Sequence, residues 1–117
     1  MALAVIDEKI FNNLKEMVGE NFIGELIETF LDEAPKLVSD MQKALKKNDA
    51  ETFRRSAHSL KSNSASFGAQ ALAEQCKSLE MLGRAGQLSQ VGDKLETLLA
   101  EYKKVEEVLR KQRHDYE

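Results

Sequence analysis

Between residues 88 and 109 the apolar side chains Leu88, Val91, Leu95, Leu98, Tyr102, Val105 and Leu109 fall alternately three and four residues apart, with charges between them. At 3.6 residues per turn that spacing gathers them on one side of an α-helix, whereas a strand would scatter them over both faces. A helix with a continuous apolar side must cover it with something. A seam of about three heptads could pair with another chain as a coiled coil. The rest of the chain, however, supplies enough amphipathic helices to cover the stripe internally.

Those helices follow from the same spacing. Asp7 suits an N-cap for a short helix with Ile10, Phe11, Leu14, Met17 and Val18 on one side, and Gly19 suits its stop. From Asn21 to Lys47, Phe22, Ile23, Leu26, Ile27, Phe30, Leu31, Ala34, Val38, Met41 and Leu45 mark a long helix. Pro35 lies inside it, and an interior proline costs about 3 kcal/mol, so a kink or break is expected near Ala34. Asp49 then caps a helix carrying Ala50, Phe53, Ala57, Leu60, Ser64 and Phe67, which ends at Gly68. Leu72, Cys76 and Leu79 define a shorter helix to about Leu82, stopped by "GRAG", and the stripe from Leu88 gives the last. No segment alternates as a strand would, and no internal repeat is present. The expected fold is all-α: an antiparallel up-down four-helix bundle with the additional short N-terminal helix packed across one end.

Composition narrows the function. The chain's 117 residues suit a single domain over residues 1–117 with one closed core. One cysteine, Cys76, cannot form an internal disulfide, and no run is long and apolar enough for a bilayer span or a signal peptide, so a cytoplasmic protein without membrane attachment is expected. A net charge of −3 disfavours a nucleic-acid footprint. Two distant histidines, His58 and His114, do not form a metal site, and His114 in the charged tail "RKQRHDYE" is read as idle. No phosphate-binding glycine loop for ATP occurs.

His58 stands apart from this pattern. It lies one step from Ala57, at the edge of the buried stripe, where its imidazole should be open to solvent. Arg54, Arg55, Lys61 and Ser62 are its neighbours three and four residues away, a small basic patch. A neutral imidazole with a free lone pair is a nucleophile. If Gly68 and Ala69 form the bend between helices, His58 and Glu80 stand at the same level, roughly 16 Å from it, and Lys61 and Lys77 are paired in the same register. A carboxylate bonded to Nδ1–H would fix the tautomer and leave Nε2 free. Ser62, Ser64, Ala65 and Ser66 leave clearance for an incoming group, while Cys76 lies on a core stripe as a small buried hydrophobe.

The stretch "AHSLKSNSASFGA" followed by "LAEQCKSLE", with "FLDEAPKLVSDMQKAL" before it, resembles the histidine-containing phosphotransfer family of two-component phosphorelays. The resemblance implies that His58 accepts a phosphoryl group on Nε2 from a receiver-domain aspartyl phosphate and passes it to another receiver. It further implies that Lys61 lies near the phosphoryl oxygens and that Glu80 orients the histidine. Ser62 replaces the glycine usual in the family. Arg54, Arg55, Ser62, Ala65 and Lys77 are candidates for contact with phosphate or partner, and Phe67 and exposed parts of the long helix for partner contact. The partners implied are response-regulator receivers and an upstream sensor or hybrid histidine kinase. The chain is expected to act as a monomeric phosphocarrier with no cofactor of its own, the magnesium ion coming with the receiver. Two alternatives stay open: the phosphoacceptor helices of a histidine kinase, and a helical docking module that carries no phosphate.

Overall fold

The computed structural model describes residues 5–115, with side chains through residue 113. Helix α1 (Glu8–Val18) begins where the Asp7 carboxylate accepts a hydrogen bond from the Ile10 N–H at 3.1 Å, a cap that contributes about 1 kcal/mol. It stops at Gly19, whose φ of +88° few residues with a Cβ adopt. The chain turns there directly into α2 (Glu20–Lys47). Met17 and Phe22, on either side of this corner, are exposed rather than part of the core. Phe22 falls one step outside the buried line of Ile23, Ile27 and Phe30.

Of the kink or break expected near Ala34, the break is absent: α2 runs through Pro35 as one helix of 28 residues. Pro35 itself is exposed, while Leu31, Ala34 and Val38 around it are buried. Burying such side chains yields about 1.5–3 kcal/mol for each large one, enough together to outweigh a proline's cost of about 3 kcal/mol.

Helix α3 (Ala50–Ser66) starts at Asp49, which accepts from the Thr52 N–H at 3.1 Å and its hydroxyl at 2.7 Å. Gly68 then makes the bend to α4 (Gln70–Arg84) at φ +82°. The Gly68 carbonyl accepts from the Asp7 N–H at 2.9 Å, and a Cβ at Gly68 would sit 2.8 Å from the Asp7 carbonyl oxygen. The N-terminus of α1 is thus seated on the α3–α4 bend.

The last apolar stripe does not start as α-helix. Leu88–Gln90 is a single 3-10 turn, Gly92 takes φ +53°, and α5 (Lys94–Asp115) begins only afterwards. Leu88 and Val91 stay buried, because a 3-10 turn preserves the three-residue step that points them to the core.

Helix α3 packs against α2 and α4, α5 against the same two, and α1 against α2 and α3. All regular structure among the described residues is helical, and no helix among them is long and apolar enough to cross a membrane. The core includes Ile23, Ile27, Met41, Phe53, Leu60, Leu72, Leu79, Leu98, Val105 and Leu109. Phe30 links two sides of it, with ring centroids 5.2 Å from Phe67 and 6.1 Å from Tyr102. At Gly83 of α4 a Cβ would lie 3.1 Å from the Arg54 backbone of α3. The missing side chain lets the two backbones approach closely at the level of the site.

Candidate functional site

His58 projects from α3 beside α4, with its side chain 54% exposed. Its Nδ1 lies 2.8 Å from Glu80 Oε2. The Glu80 side chain is only 4% exposed, so it is a buried carboxylate and not an ordinary surface one. The register read from the Gly68–Ala69 bend therefore brings the expected pair together.

Burial works to raise the Glu80 pKa, but hydrogen bonds from Lys61 and His58 outweigh it and hold the carboxyl below its usual value of 4.5. Glu80 is consequently an anion at neutral pH. An ionised carboxylate can only accept, so the proton of this contact belongs to Nδ1, and Nε2 keeps its lone pair. Among the described residues no hydrogen bond engages Nε2.

Lys61 donates to Glu80 Oε1 at 2.6 Å, with its side chain 29% exposed. Its ammonium therefore sits on the same carboxylate as His58 Nδ1. Arg84 donates from Nη2 to Glu80 Oε2 at 3.1 Å. The sequence reading missed this arginine, although its position four residues beyond Glu80 on the same helix carries the signal.

The remaining candidates separate. Arg54 is turned to Glu51, with Nε at 3.2 Å and Nη2 at 2.5 Å, and Arg55 Nε lies 3.9 Å from the same carboxylate. Both arginines therefore face a neighbour one turn away instead of the imidazole. Ser62, Ala65 and Lys77 are exposed. Ser66 is exposed too, with its hydroxyl donating to the Ser62 carbonyl at 3.1 Å. Ser64 is fully buried and contributes nothing to clearance, and Phe67 is 5% exposed against Phe30, so it is no partner contact. Both belong to the α3 core line of Phe53, Ala57 and Leu60, which decides their direction. Cys76 is fully buried, and burial pushes its thiol up to about 12, which keeps it protonated. The His114 side chain lies outside the described residues.

An exposed imidazole held through Nδ1, with no hydrogen bond on its second nitrogen among the described residues, suits acceptance of a group by nucleophilic attack. The Hpt domain model matches residues 25–108, and the chain belongs to that family, the histidine phosphotransfer proteins of phosphorelays, which act as phosphocarriers with histidine kinases and response regulators. Among solved structures, histidine-containing phosphotransfer protein B (HptB) from Pseudomonas aeruginosa PAO1 is similar, at 29% sequence identity and a TM-score of 0.92, with 99% of this chain and 100% of that one covered. No curated protein matches the chain.

Proposed function

We propose that His58 is the phosphoacceptor, and that residues 1–117 work as a single monomeric Hpt domain that relays a phosphoryl group between receiver aspartates. In this reading α2 to α5 make an antiparallel up-down four-helix bundle with α1 across one end. The observation that carries it is the His58 Nδ1 contact to the buried Glu80 carboxylate, at 2.8 Å, on a ring that is otherwise open.

The Nε2 lone pair attacks the phosphorus of a receiver's aspartyl phosphate. An N–P bond forms as the P–O bond to the aspartate breaks, and the electron pair leaves on the aspartate carboxylate. The Nδ1 proton stays on the ring, and Glu80 faces the positive charge that develops there. Such transfer asks the protein mainly for position and charge. Lys61 is the residue that meets the phosphoryl oxygens, the receiver brings the magnesium ion, and no ATP site is required. Arg54, Arg55, Ser62, Ala65 and Lys77 lie on the surface offered to the receiver. The site suits a cytoplasmic relay fed by a sensor or hybrid kinase.

Incubation with a phosphorylated receiver tests this. Label moves to the wild-type chain and not to His58→Gln; equal labelling of both removes the proposal.

A further inference from the structure

Arg84 binds the same oxygen of Glu80 that accepts from His58 Nδ1, while Lys61 holds the other oxygen. A carboxylate oxygen has two lone pairs and accommodates both donors. Glu80 thus carries one cation on each oxygen, although Lys61 alone would neutralise it. An exposed ion pair four residues apart on a helix contributes little. Here, however, the acceptor is 4% exposed while Arg84 is 67% exposed, and a buried carboxylate deprived of its cations is strongly disfavoured.

The second cation matters when Lys61 leaves. Its ammonium sits 2.6 Å from Oε1, and any donation to phosphoryl oxygens arriving at Nε2 must draw it from that oxygen or share it with them. We propose that Arg84 is a positioning residue, which keeps Glu80 anchored against His58 Nδ1 while Lys61 is released to the phosphoryl group. The inference rests on the phosphotransfer reading of His58. Arg84 acts through Glu80 and needs no contact with the transferred group. Gly83 supports the arrangement, since its close approach to the Arg54 backbone holds this turn of α4 against α3.

The test compares the full chain as wild type, Arg84→Gln, Arg84→Lys, Lys61→Met and the Lys61→Met/Arg84→Gln double variant. Two readouts are taken: the rate of transfer from a phosphorylated receiver, and the pH midpoint of the Glu80 carboxyl by carbon NMR. The groups acting on that carboxyl are His58, Lys61 and Arg54 from α3 and Arg84 and Cys76 from α4. Arg84→Gln should slow transfer about three- to tenfold and raise the midpoint, with both largely recovered in Arg84→Lys. The double variant should raise the midpoint beyond either single change. An unchanged midpoint in Arg84→Gln, transfer at the wild-type rate, or a lysine variant no better than glutamine overturns the assignment. Failure of the wild type to accept label removes the phosphotransfer reading instead, while the midpoint still reports whether Arg84 holds the carboxylate.

Discussion

Replacing Glu80 by alanine should damage transfer far more than folding. Loss of one partner of a buried ion pair commonly costs about 3–5 kcal/mol, because the other charge is stranded away from water. The partners of Glu80 are not stranded: the His58, Lys61 and Arg84 side chains are 54%, 29% and 67% exposed and can turn to solvent. What remains is the lost attraction, offset by removal of a desolvated carboxylate, for a net destabilisation of about 0.5–1.5 kcal/mol. The imidazole meanwhile loses the acceptor that fixes its proton on Nδ1 and its plane toward the partner. Loss of the group that orients a metal-bound histidine costs about 10- to 100-fold, and a drop of that size in transfer is expected here. Transfer from a phosphorylated receiver and urea unfolding, measured on the same preparations at pH 7, give the two numbers. Transfer within twofold of wild type, or a stability loss in the full buried-charge range, would refute this reasoning. The pH dependence adds a sign. Because the folded-state pKa of Glu80 lies below its ordinary value of 4.5, its contribution is present above that value and fades as pH falls through the folded pKa. The stability gap between wild type and Glu80→Ala should therefore close in acid.

Lys61→Ala should slow transfer by about tenfold while changing stability by less than about 1 kcal/mol, read by the same two assays; equal rates would withdraw its role. Gly68→Ala should lower stability by about 1–3 kcal/mol in urea unfolding, since φ is +82° and the new Cβ would meet the Asp7 carbonyl oxygen at 2.8 Å; a neutral result would mean that α1 is not seated on the bend. Cys76 should resist alkylation at pH 8 in the native protein and react fully in denaturant, because the thiol is buried with its pKa raised to about 12; rapid native labelling would contradict its place in the core.

Much of this was legible in the chain itself, for identifiable reasons. Asp7, Gly19, Asp49 and Gly68 mark helix ends by side-chain capping and by backbone angles, which are local properties. His58 and Glu80 could be paired because two helices joined by a tight bend keep register over three turns. Where the reading failed, competition between terms decided the outcome. Pro35 did not break α2, because its local cost is smaller than the burial of Leu31, Ala34 and Val38 around it. The 3-10 turn at Leu88–Gln90 mimics an α-helical stripe, since three-residue steps are common to both. Composition groups Ser64 with the small-residue clearing and proximity to His58 offers Phe67 as a partner contact, although the spacing of both from Leu60 already places them on the core line. The burial of Glu80 depends on how closely α3 approaches α4 at Gly83, a tertiary distance that spacing along one chain does not encode, whereas its pairing with Arg84 lies within one helix and is carried by the four-residue step.

The central claim concerns a single nitrogen atom, so the most direct measurement locates the phosphoryl group on the ring. Phosphorus–nitrogen correlation by NMR on the chain freshly labelled by a phosphorylated receiver should place the N–P bond at Nε2 of His58, with the Nδ1 proton still present. A phosphoryl group on Nδ1, or on any other residue, would contradict the account.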